Sequence, residues 1–142
     1  IGSLDDATDV SKELESHYSI LSASMRQVIT GVSLGQLAVL ARQYDTTLAD
    51  AKAILNANRG AFSPQKQSTV DRWILQITNT RSLYQQKIDS ITEKNAQLKG
   101  SSIETLDDLF GQLKRDVGQA KQYLIEGNRF IGELIEALRY QN

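Results

Sequence analysis

Residues 103–142 read IETLDDLFGQLKRDVGQAKQYLIEGNRFIGELIEALRYQN. Apolar or small side chains recur at Leu106, Phe110, Leu113, Val117, Ala120, Leu124, Gly127, Ile131, Leu134 and Leu138. The spacing alternates three and four, which is the seam of a long helix lying lengthwise against other helices. A strand would alternate every second residue, and a membrane span would be apolar on all sides. Here Asp107, Lys114, Lys121 and Glu133 separate the seam positions. The stretch predicts one helix of a bundle whose outer face meets water.

Outward from this stretch, punctuation divides the chain into four helical segments. Ser3 can cap the first, with Asp5, Asp6 and Asp9 at the positive end of its dipole. Its seam runs Val10, Leu14, His17, Leu21, Met25 and Val28. Gly31 offers a stop, and Ser33 with Gln36 forms a capping-box pattern that restarts the chain. The second seam reads Leu37, Leu40, Tyr44, Leu48, Ala51 and Leu55, up to Asn58-Arg59-Gly60. Ser63-Pro64 then places an N-cap before a proline at the first helical position, where its missing donor costs nothing. The third seam carries Val70, Ile74, Ile77, Arg81, Tyr84, Ile88, Ile91, Asn95 and Leu98. It stops at Lys99-Gly100, and Ser101 with Glu104 is a capping-box pattern for the fourth.

Helices three and four should each reach about 55 Å at the helical rise per residue. Their short connection permits only an antiparallel hairpin. The expected fold is all-α, an up-down antiparallel four-helix bundle forming one domain over residues 1–142. The competing arrangement is a three-helix bundle with a long first helix kinked through residues 31–35. Gly31 and Gly35 favour the break, since a glycine costs about 1 kcal/mol inside a helix.

The chain of 142 residues carries a net charge of −1, one proline and no cysteine. Its Lys and Arg are dispersed among acids, so the clustered positive charge that nucleic acid requires is missing. The absence of cysteine removes disulfides and thiolate metal or redox sites. No apolar run approaches the roughly 18 residues of a membrane span, so any membrane attachment would come from segments outside this chain. The opening Ile1-Gly2-Ser3 and an amphipathic pattern still running at Leu138-Arg139-Tyr140 read as a piece of a longer protein.

Candidate sites are few. A single histidine, His17, cannot build a di-iron or zinc centre in a bundle, and it lacks a Ser and Asp motif for nucleophilic catalysis. No metal, cofactor or enzymatic activity is expected. Arg81 is the exception on the third seam, because a guanidinium facing a helix interface needs a carboxylate or an anion. One reading is a small anionic ligand held by Arg81 and Tyr84, or with Arg26 or Arg42 from another helix. An intramolecular ion pair, fixing of register, or extension of Arg81 to the surface compete with it. Gly111, Gly118 and Gly132, spaced by sevens with Ile125 between them, flank the fourth seam. They predict close approach of another helix, inside the bundle or across a homodimer. Trp73, Tyr18, Tyr44, Tyr84 and Tyr123 lie at seam-like spacing and are expected in or beside the core.

Residues 37–91, LAVLARQYDTTLADAKAILNANRGAFSPQKQSTVDRWILQITNTRSLYQQKIDSI, show a helix with alanines after Tyr44-Asp45, a proline loop, and a long helix with spaced Ile, Leu and Tyr. This organisation resembles the extracytoplasmic four-helix-bundle sensor domains of bacterial chemoreceptors and sensor histidine kinases. Aspartate- and serine-sensing receptors carry several arginines on the first helix, where this chain offers Arg26. The resemblance implies a periplasmic signal-input bundle that binds a ligand or partner and transmits a helix shift. A non-catalytic interaction protein, such as an adaptor, secretion chaperone or lipoprotein scaffold, is the alternative, and a phage or surface structural protein a further one.

Overall fold

A computed structural model describes residues 7–30 and 34–139. Ser3, Asp5, Asp6, the break at Gly31 to Ser33 and Tyr140 lie outside the described residues, as do the side chains of Arg26 and Val28. Four helices follow in order: α1 (Ala7–Thr30), α2 (Leu34–Ala57), α3 (Pro64–Gln97) and α4 (Ile103–Arg139). Short 3-10 turns at Arg59–Ala61 and Leu98–Gly100 complete the described chain, which contains no strand. Helices α1 and α2 lie side by side, with His17 3.7 Å from Asp50, which sets aside one continuous helix and with it the three-helix alternative.

The α2–α3 boundary forms as the residues dictate. Ser63 Oγ accepts a hydrogen bond from Lys66 N at 3.1 Å with Pro64 opening α3, and Asn58 donates to Ile54 O at 2.7 Å. At the start of α4 the expected Ser101–Glu104 box is corrected by one residue. Ser102 Oγ accepts from Thr105 N at 3.3 Å, while Ser101 Oγ turns back to donate to Gln97 O at 2.6 Å.

Helix α1 packs on α2 and α4, and α3 packs on α2 and α4. The start of α3 meets the end of α4, where Lys66 Nζ donates to Leu138 O at 3.5 Å and its cation faces the negative end of that helix. The start of α1 meets the same end, through Ser11 Oγ donating to Ile135 O at 3.2 Å and an ion pair between Glu15 and Arg139. Between α2 and α3, Tyr44 donates to Ile77 O at 3.4 Å and Tyr84 to Leu37 O at 2.9 Å. The α2 seam is buried at every expected position. On α1 the seam passes through Tyr18 rather than His17, which sits half-buried at the boundary. On α3, Asn95 is exposed and Arg81 and Ile74 are half-buried, while Thr80 takes a core place and donates to Gln76 O at 2.8 Å.

Helix lengths explain the principal departure. Both α1 and α2 have 24 residues, against 34 in α3 and 37 in α4. Because α1 begins beside the end of α4, it runs out partway along it. Among the described residues, the last turns of α3 and roughly the first third of α4 are therefore left as a two-helix extension. From Ala120 to Leu138 the α4 seam is buried as expected. In the extension α4 instead buries Leu109 and Asp116, the latter against Ser90 and Lys94 of α3, while Phe110 is 55% exposed and Leu106, Leu113 and Val117 are half-buried. A helix with one neighbour buries a narrower face than a helix with two. The expected Phe110 core place is corrected accordingly, while Leu113 and Val117 still pack against the edge of the core.

Asp116 fastens the extension. Its Oδ2 accepts from Ser90 Oγ and Lys94 Nζ, both at 2.7 Å, and Lys87 Nζ lies 3.7 Å from Oδ1. Burial alone would push this carboxyl up, but the hydrogen bonds from Lys94 and Ser90 and the charges of Lys94 and Lys87 hold it below the usual carboxylate range.

Tyr18 is 2% exposed and its hydroxyl is the one buried side-chain polar atom without a hydrogen-bond partner among the described residues. Burial, with a smaller contribution from Tyr44, pushes its phenol pKa up, so it stays neutral. An unmet buried hydroxyl is a net cost. Tyr18→Phe should therefore raise stability by up to about 1 kcal/mol in urea unfolding. A loss of that size would reveal a partner for the hydroxyl.

Candidate functional site

Arg81 is paired within the chain. Its side chain is 12% exposed, and the guanidinium holds Asp45 of α2 through two hydrogen bonds, Nε to Oδ1 at 2.8 Å and a second nitrogen to Oδ2 at 3.0 Å. The second nitrogen also donates to Gln85 Oε1 at 2.8 Å. The seam charge that called for an external anion is met within the chain. Tyr84 is fully buried, with its hydroxyl committed to Leu37 O. Arg42 stands elsewhere, on a surface groove between α1 and α2, and the side chain of Arg26 lies outside the described residues. Arg81 and Tyr84 are neighbours, as the first pairing expects, but each is committed to a partner within the chain, and Arg42 lines the separate groove.

The groove has a volume of about 350 Å³ and is lined by His17, Ile20, Leu21, Val39, Arg42 and Thr46, among others. It is a shallow furrow between two helices. His17 lies 3.7 Å from both Glu13 and Asp50, so its polar neighbours are acids rather than a nucleophile. No group of three or more metal-ligating side chains occurs among the described residues.

The glycine stripe is likewise corrected within the chain. A Cβ added at Gly118 or Gly132 would meet nothing within 4 Å, and at Gly111 only the Arg115 guanidinium at 3.8 Å. The close internal approach is made at Gly127 on the seam itself, against Tyr44. Gly132→Ala should consequently stabilise the chain by up to about 1 kcal/mol, through helix propensity alone, in urea unfolding. Destabilisation would place a neighbour over it. The aromatic residues fall as expected, with Tyr18, Tyr44 and Tyr84 buried, and Trp73 half-buried against Phe130 at 5.7 Å between ring centres.

What remains is an apolar strip along the first third of α4. Ile103 is 84% exposed and Phe110 55%, with half-buried Leu106 between them, and half-buried Leu113 and Val117 follow at the edge of the core. These side chains continue the seam that α1 covers farther along α4. The equivalent strip of α3 in the extension is polar, with Thr92 and Asn95 exposed. The apolar residues are thus confined to one helix of the hairpin. The sequence signal was present, since Leu106, Phe110, Leu113 and Val117 stand in heptad phase, but it pointed to the interior. No protein-family model, curated protein or solved structure matches the chain. None of the described helices is long and apolar enough to cross a membrane.

Proposed function

We propose that the four helices form an up-down antiparallel bundle that acts as a non-catalytic interaction module, with the exposed strip of α4 as its contact surface. Supporting the arrangement, Lys66 lies beside Leu138 whereas Lys94 lies beside Asp116, so α3 and α4 run in opposite directions. The same holds for α2 and α3, where Leu37 meets Tyr84 and Asp45 meets Arg81. The observation that carries the function is the exposure of Ile103 and Phe110 in continuation of a buried helix seam. Large apolar side chains grouped on a surface mark a contact site, and a seam in heptad phase is shaped for a helix.

A photo-activatable cross-linker placed at Phe110 in the living host tests this reading. Adducts to protein are expected there and not at the exposed Ser16 on α1. Equal labelling at both positions, or none at Phe110, would refute it.

One observation favours the signal-input reading as a second proposal. The start of α1 and the end of α4 meet at one pole, through Ser11–Ile135 and Glu15–Arg139. A partner on the α4 strip could then bias the packing of α4 and be read at that pole as a small sliding of helices, in an extracytoplasmic receptor. Partner-dependent change in the distance between residues 15 and 139 would distinguish this from simple adhesion.

A further inference from the structure

We infer that the strip on α4 is covered by the same strip of a second copy of this chain, the two helices running antiparallel about a two-fold axis near Phe110. This rests on the reading of the strip as a contact surface and names its occupant.

The strip alone would accept many helices, and self-complementarity selects among them. In an antiparallel pair related by a two-fold axis, the same flank of each helix faces its counterpart, and every contact occurs twice. On α4 the flank pointing away from α3 carries Asp107, Gly111, Lys114 and Gly118. The register that sets Asp107 opposite Lys114 of the second copy also packs the strip on itself, with Phe110 against Leu113 and Leu106 against Val117. One alignment therefore brings together opposite charges at one level and apolar side chains at the other two. The levels are independent in sequence and agree on a single register.

The described surroundings fit. A Cβ at Gly118 would meet nothing within 4 Å, so no described residue stands over this flank. At Gly111 the nearest atom is the Arg115 guanidinium at 3.8 Å, the far end of a flexible side chain. Neither Asp107 nor Lys114 has an ion-pair partner among the described residues. Both are exposed, so the pairs would lie at the rim, where charges set register and partner choice. Continuity with the α1–α4 seam supplies the helix-shaped surface. Gly132 falls outside this register and has no part in the contact.

Sedimentation velocity on residues 1–142, across a concentration series, is the test. A species of twice the 15.8 kDa chain mass is expected. Asp107→Lys and Lys114→Asp should each weaken dimerisation by about tenfold or more, because each turns two attractions into two repulsions. The double variant Asp107→Lys with Lys114→Asp should return to within about threefold of the wild type, since opposite charges again face each other. Circular dichroism of all three checks that the helices persist, and these exposed positions lie outside the core. A monomer at every concentration overturns the inference, as does a dimer indifferent to both single changes or a double variant that is not restored. Cross-links from Phe110 to a different protein, with a monomeric chain, would overturn the second copy while leaving the contact surface standing.

Discussion

Asp116→Ala should destabilise the chain by about 2–4 kcal/mol, read as a lower urea midpoint with unchanged slope. Its carboxylate is buried between the helices of the extension and is held by Ser90, Lys94 and Lys87. Removing it leaves two lysines with no acid between them. The effect depends on pH in a defined direction. The folded carboxyl titrates below the unfolded one, so its contribution is complete above the unfolded value of about 4. It is lost as pH falls through the folded value. The difference between wild type and Asp116→Asn should accordingly be largest near neutrality and shrink below pH 4 or so. A difference that persists unchanged in acid would mean that packing, not charge, is what Asp116 contributes.

Gly127→Ala should cost about 1–3 kcal/mol, although alanine is the better helix former. The added Cβ would lie 2.6 Å from the Tyr44 hydroxyl oxygen and 3.4 Å from two ring carbons. Tyr44 cannot swing away, since its ring is 1% exposed and its hydroxyl is bound to Ile77 O. The same substitution at Gly132 has the opposite sign, so the pair separates internal packing from propensity in one helix. Equal effects at both positions would show that Gly127 is not where α4 and α2 come closest.

Much of the fold was readable because local signals agreed. The Ser63-Pro64 start, the whole α2 seam and the second half of α4 are set by capping chemistry and by positions flanked on both sides by other helices. The first third of α4 departs from its heptad pattern for a reason of geometry. Heptad phase reports where apolar residues lie on a helix, not how many neighbours that helix has at each level. Phe110 and Leu109 are adjacent in sequence, and only the shortness of α1 decides which of them is buried. His17 and Tyr18 present the same ambiguity.

Site residues were less legible. The need of Arg81 for a counter-charge followed from its seam position, but its partner Asp45 lies on another helix, beyond the reach of spacing arguments. Glycines in sevens suggested close approach along their own stripe. Within the chain the approach occurs at Gly127, on the seam rather than on that stripe.

Unfolding of Phe110→Ser in urea, at protein concentrations low enough to keep the chain monomeric, tests the central claim most directly. A strip of α4 that lies outside the core predicts a stability within about 0.5 kcal/mol of the wild type, since phenylalanine and serine have similar helix propensity. A loss of about 3 kcal/mol or more, the cost of emptying a core aromatic site, would put Phe110 in the interior and contradict the account.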